Sequence, residues 1–216
     1  AIMATPEQKQ MWLDEWVKPV IRGEATTAAA ITEPDAGSDT AGIQTRAVLD
    51  GDEWVINGSK AFITNAGLDN NLYATVLCLT DPEARRFDTI IVPKGTPGYR
   101  IMPAYRKMGL RSSDTRELAF DDCRVPAINR IGSPGGGRGR TVRGFFAARI
   151  TLASTALGLA EQCLEIASAY AQERHAFRRP IAGFQYVQGM LVELALHVEL
   201  SRLIRDKAAR LFDQGL

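Results

Sequence analysis

The stretch AITEPDAGSDTAG, Ala30 to Gly42, decides how this chain is read. The small apolar residues Ala28 to Ile31 suit a buried strand. Pro34 then removes a ladder donor and fixes φ, so the backbone must leave the sheet there. Asp35, Gly37, Ser38 and Asp39 are turn formers, and Gly37 lets the main chain approach a ligand without an intervening Cβ. Two readings fit these residues. One is a polar turn that reverses the chain. The other is a cofactor loop whose successive N–H groups, with the Ser38 hydroxyl, hold a phosphate.

From Thr26 to about Arg130 the chain runs in short apolar or alternating stretches: Ile43 to Leu49, Trp54 to Ile56, Ala61 to Thr64, Leu72 to Leu79, Thr89 to Val92 and Glu117 to Phe120. Asp50-Gly51 and Asn57-Gly58 read as hairpin turns, because both dipeptides tolerate positive φ. Short strands without intervening helices predict a small antiparallel barrel or sandwich and argue against a parallel sheet. Before this domain, Thr5 to Val17 predicts one short helix, with Thr5 as N-cap, Pro6 at the first position and Pro19 as its stop. After it, GSPGGGRGRTVRG from Gly132 to Gly144 reads as a linker. Arg138, Arg140 and Arg143 are there as solvated cations or as phosphate contacts.

Helical periodicity then runs from Phe145 to Ala176 and from Phe184 to Asp213, which predicts two antiparallel helices, each roughly 45 Å long at about 1.5 Å per residue. Leu196, Leu200 and Leu203 widen the second apolar face beyond one stripe, so further helices or subunits are expected to cover it. The fold expected is therefore α+β: an antiparallel β-barrel or sandwich followed by an incomplete helical bundle. Its segments are a helical end (1–25), a β-barrel domain (26–131), a linker (132–144) and a partial bundle (145–216).

The 216 residues include 26 Lys and Arg against 25 Asp and Glu. A net charge of +1 gives no overall attraction to nucleic acid or to a membrane surface. Cys78, Cys123 and Cys163 are odd in number and widely spaced, which fits reduced packing thiols and a cytoplasmic location. His175 and His197 alone are too few for a His-based metal site. No charged-then-apolar leader and no apolar run of spanning length is present in the sequence.

Several motifs occur together. T-E-P-D-A-G-S-D-T-A-G, FITN (Phe62 to Asn65), MGLRSSDT (Met108 to Thr115), FDDCRVP (Phe120 to Pro126) and ERHAF with Gln185 beyond it resemble, in that order, the signature segments of the acyl-CoA dehydrogenase family of flavoproteins. The resemblance covers most of the chain and matches that family's middle domain and the first part of its carboxyl-terminal domain. It implies FAD bound between a β-domain and a helical bundle, and an acyl-CoA substrate. It also implies a homodimer or homotetramer, and electron-transfer flavoprotein or a similar protein as acceptor.

Carried over residue by residue, the resemblance places Thr32 and the backbone near Ile31 on the pyrimidine edge of the flavin, and Ser38 at the phosphates and the substrate. Phe62 stands on the ring where relatives often have Trp, with Ile63 beside it and Thr64 at the redox-active edge. Arg174, Phe177 and Gln185 match residues that reach the FAD of a neighbouring subunit. Phe145 and Arg149 match a segment that contacts CoA. Phe146 departs from the Asp of that segment, and Arg178 from the Gly that usually follows the Phe of its own.

A catalytic base is missing. The helix position that carries it in one branch is Ala148, and other relatives supply a Glu beyond the position of Leu216. The expectation is thus a fragment of an FAD-dependent acyl-CoA dehydrogenase without its own base. Alternatives are a flavin-binding or nucleic-acid-binding scaffold of the same fold, and an acyl-CoA oxidase or nitroalkane oxidase.

Overall fold

A computed structural model describes residues 4–215 of the chain. Thr5 caps helix α1 (Pro6–Trp12) in a capping box: its hydroxyl accepts the Gln8 N–H at 3.3 Å and its own N–H reaches Gln8 Oε1 at 3.0 Å. The expected stop at Pro19 is corrected. A wide turn, Leu13–Val17, in which Lys18 N–H reaches back to Leu13 O, shifts the register. Pro19 then falls in the first turn of α2 (Lys18–Ile21), where no N–H is required. Trp12 and Trp16 stack at 5.4 Å, and Trp16 meets Tyr73 at 5.2 Å, which lays the helix over Ile91.

The sheet contains β1 (Thr26–Ala30), β2 (Arg46–Asp50), β3 (Glu53–Thr64), β4 (Asn71–Asp81), β5 (Arg86–Pro93), β6 (Tyr99–Ile101) and β7 (Thr115–Pro126). Its order is β1-β4-β2-β3-β7-β6, with β5 also on β4. Among the described residues it does not close into a barrel. Nor is it purely antiparallel, since β1 runs parallel to β4, and β2 meets β4 in parallel at Arg46 and Leu79. A parallel pair needs a long crossover. Here the β2–β3 hairpin supplies it in place of a helix, which is why the absence of helices misled the sequence reading.

Asp50-Gly51 is a hairpin turn as expected, with Asp50 opposite Glu53 and Gly51 at φ 59°. Asn57-Gly58 is not. The strand continues through it, and a Cβ at Gly58 would stand 2.8 Å from Thr45 Cα, so this glycine serves a close backbone approach. The core of this sheet includes Ile56, Ile63, Val76, Ile90, Leu118 and Val125, each essentially inaccessible. Each such side chain contributes roughly 1.5–3 kcal/mol by burial.

Helix α3 (Gly137–Glu173) begins inside the stretch read as a linker. Asp88 on β5 explains this. Its carboxylate accepts Thr80 Oγ1–H at 2.9 Å and Gly135 N–H at 2.8 Å, and lies 3.6 Å from the Arg140 guanidinium. A Cβ on Gly137 would stand 2.5 Å from Asp88 Cα, so the glycines allow contact with β5 where the composition indicated flexibility. The chain divides into units at residues 1–141 and 142–216. In the second unit α3 is followed by the short ladder of β8 (His175–Ala176) with β9 (Arg179–Pro180) and then by α4 (Gln185–Asp213). No helix among the described residues is long and apolar enough to cross a membrane.

Candidate functional site

The chain leaves β1 at Ile31 and turns at once. Glu33 and Ala36 exchange backbone hydrogen bonds at 2.9 and 3.2 Å around Pro34 and Asp35. Ser38 is exposed on the following segment, and the Asp39 carboxylate caps the turn Thr40–Gly42 through Ala41 N–H at 3.0 Å. A Cβ at Gly37 would meet no protein atom within 4 Å, so the loop is open on that side. Arg138 Nε reaches Thr40 Oγ1 at 3.5 Å, and the Arg85 guanidinium donates to Ala41 O. Two cations therefore flank the Ser38 loop. Arg138 belongs to the Gly- and Arg-rich stretch, whereas Arg85, on the tip between β4 and β5, carries no signal in the sequence.

Thr32 O accepts Ala61 N–H at 2.9 Å, which sets the loop beside the end of β3. The pairing of β3 with β7 shifts between Lys60 and Ile63. That bulge turns Phe62 outward at φ 59°, 65% exposed, stacked on Tyr105 with ring centroids 5.2 Å apart. An aromatic residue in the left-handed region costs on the order of 1–3 kcal/mol and is a mark of a functional position. Thr64 is exposed as well, whereas the Ile63 side chain is buried in the core and offers only its main chain to a ligand. Ile31 is half-buried against the cluster that contains Ile43, Leu77 and Phe87.

Beneath the loop, Lys60 is completely buried. Its ammonium donates to Ile31 O at 3.0 Å and to Glu33 Oε1 at 2.9 Å. The Glu33 carboxylate also accepts the Thr45 and Gln44 N–H groups, each at 2.8 Å. Burial raises the Glu33 carboxyl, but the Thr45 and Gln44 donors and then Lys60 outweigh it and hold it below the ordinary value. Burial lowers Lys60. Glu33 thus accepts two hydrogen bonds at Oε1 and one at Oε2, all from within the protein, and its side chain is buried. Cys78 and Cys123 are packing thiols, with burial pushing them up to about 12 and about 11.

In the helical unit, Arg174, Phe177 and Gln185 stand at one end of the hairpin, all exposed. Arg174 O accepts Ile181 N–H at 2.8 Å, and Phe177, 90% exposed at φ 52°, meets the Phe184 ring edge-on at 6.1 Å. Phe145 is half-buried on α3 and Arg149 exposed one turn on. With Phe in place of a carboxylate at 146, the Arg149 guanidinium lies over that phenyl ring at 5.6 Å. Ala148 is exposed. Arg149 also borders a groove of about 490 Å³ between the helices, formed with Leu157, Ile204 and Arg205.

A flavin fits the first unit's surface on its own evidence. It offers an exposed, strained aromatic platform at Phe62, an open glycine loop flanked by guanidinium groups, and an unpaired Thr32 N–H between them, with no acceptor among the described residues. Residues 28–123 match the family model for the acyl-CoA dehydrogenase middle domain, and residues 135–216 the model for its C-terminal domain. Cyclohex-1-ene-1-carbonyl-CoA dehydrogenase of Geobacter metallireducens is 41% identical over 98% of this chain and 55% of its own length. Butyryl-CoA dehydrogenase from Megasphaera elsdenii superposes with a TM-score of 0.86 at 33% identity, over 95% of this chain and 54% of that one. A glutaryl-CoA dehydrogenase from Mycobacterium smegmatis, solved in complex with FADH2, gives 0.79 at 33% identity, over 94% and 50%. The chain spans about half the length of the relatives it matches. Two adjoining family models, in the order and at the positions where the loop, the bulged strand and the helical hairpin lie, place this chain in the acyl-CoA dehydrogenase family.

Proposed function

We propose that this chain forms the flavin-holding part of an FAD-dependent acyl-CoA dehydrogenase, which oxidises the α,β carbon–carbon bond of an acyl-CoA thioester. The observation that carries the reading is Phe62, an aromatic face held outward at positive φ beside Thr32 and Thr64. When bound, FAD supplies the acceptor for the hydride leaving the β-carbon. Phe62 provides a flat support for the ring, Thr32 and Thr64 offer donors along its edge, and Ser38 stands where a phosphate or the thioester approaches. Arg174, with Phe177 and Gln185, forms a second anion-binding end on the helical hairpin, suited to the pyrophosphate of a neighbouring copy's cofactor in a homodimer or homotetramer. Phe145 and Arg149 are the proposed CoA contacts.

The α-proton needs a carboxylate base that these residues do not provide. Position 148 is Ala, and Glu33 is occupied by Lys60 and two amides. The proposed reaction therefore takes its base from a carboxylate outside the residues named here. Reoxidation by electron-transfer flavoprotein or a similar acceptor completes the proposed cycle, in a cytoplasmic setting. The test is an anaerobic titration of the full-length, FAD-loaded protein with saturated acyl-CoAs of graded length. At least one is expected to bleach the flavin absorbance. Retained FAD that no acyl-CoA bleaches would refute the dehydrogenase reading in favour of a binding role.

A further inference from the structure

The buried pair Lys60–Glu33 takes no part in the proposed chemistry, yet its ammonium, inaccessible to solvent, sits on one peptide bond. Lys60 Nζ donates to Ile31 O at 3.0 Å. That carbonyl belongs to the same peptide unit as Thr32 N–H. The peptide is trans, as is every peptide among the described residues, so the N–H points opposite to the carbonyl, away from the ammonium. Among the described residues it has no acceptor. Glu33 Oε1 holds the ammonium from the other side at 2.9 Å and is itself fixed by the Gln44 and Thr45 amides. A cation on a carbonyl oxygen draws electron density through the amide, and the N–H at the far end becomes a stronger donor.

Resting on the flavin reading above, we propose that Lys60 is a positioning residue that polarises the Ile31–Thr32 peptide, making Thr32 N–H a strengthened donor to the pyrimidine edge of the bound flavin. Glu33 holds the ammonium at that carbonyl. The pyrimidine edge gains negative charge on reduction, so the donor stabilises reduced flavin more than oxidised flavin. The lock is internal, which keeps it out of competition with water and substrate.

The test uses the full-length protein, loaded with FAD, as wild type, K60M and the double variant E33Q/K60M. The double variant removes both charges together and leaves no buried ion unpaired. Two quantities are measured: the dissociation constant for oxidised FAD, by fluorescence quenching, and the midpoint potential, by equilibration with a reference dye. The double variant is expected to keep oxidised FAD within about threefold of wild type. Its preference for reduced over oxidised flavin should fall about tenfold, a shift of about 30 mV for a two-electron couple. K60M, which leaves the Glu33 carboxylate uncompensated, should fall further. A purely structural pair would weaken both redox forms equally and leave the potential unmoved. An unmoved potential in FAD-bound double variant overturns the proposal, as does loss of the fold in both variants, which would assign the pair to stability alone. Wild-type protein that binds no FAD refutes the proposed function and this proposal with it, so the two failures are distinguishable.

Discussion

Leu118 and Leu159 are the same residue in two kinds of surroundings. Leu118, on β7, is fully buried, while Leu159, on α3, is 69% exposed. The contrast holds across both units. The strands bury a continuous cluster from Ala28 to Val125, whereas among the described residues of the helical unit only Leu157, Ala171 and Val198 are buried apolar side chains. The mixed sheet gathers side chains from all seven strands into one cluster, so each is covered from several directions. Two helices meet along one seam, and Leu152, Ile166, Leu196 and Leu203 lie off it. The β unit therefore carries its own stability, and the hairpin's apolar surface exceeds what one seam can bury.

The largest expected effect is in the sheet. Leu118→Ala should lower stability by about 2–5 kcal/mol, as a cavity in a closed core does. All three tryptophans, Trp12, Trp16 and Trp54, lie in the β unit, so urea unfolding followed by tryptophan fluorescence reports that unit alone. A loss under about 1 kcal/mol would break the contrast. An intermediate effect is expected from acid. The Glu33 carboxyl is held below its free value of 4.5, so the stability it contributes is complete above about that pH. It is lost as the pH falls through the lower folded value. Lys60, lowered by burial from 10.5, acts at the other end, where stability rises with pH between its folded value and 10.5. Urea midpoints measured by fluorescence at stepped pH should fall on acidification, and less steeply in Glu33→Gln. Parallel curves for the two proteins would show that Glu33 is not the titrating group. The smallest effect belongs to the helices: Leu159→Ala should change stability by no more than about 0.5 kcal/mol, read by circular dichroism. A change as large as that of Leu118→Ala would mean that position 159 is covered.

The motifs were the most legible part of the chain, because each fixes residue types at fixed spacing. Ala30 to Gly42 leaves the sheet and turns where Pro34 and Asp35 indicated. The long helices were legible from periodicity. What escaped depended on distant partners. Gly58 looks like a turn residue until Thr45 is seen against it, and the glycines at 135 and 137 look flexible until Asp88 is seen beneath them. The outward turn of Phe62 arises from a register shift against β7, and no local residue announces it. Lys60 showed the opposite limit: a lysine within a strand reads as a solvated face, and only the convergence of Ile31, Glu33, Gln44 and Thr45 makes it a core residue.

The buried side chain of Gln8 joins two distant segments. Its Oε1 accepts from Thr5 and, at 3.2 Å, from Gly132 N–H, while Nε2 donates to Ile128 O at 2.9 Å and to Arg130 O. One amide thus fastens the entrance of the β unit to its exit, so the backbone enters and departs from the same corner. A cassette whose two ends share a corner can be lifted between proteins, or given different attachments at either end, with its interior left unchanged.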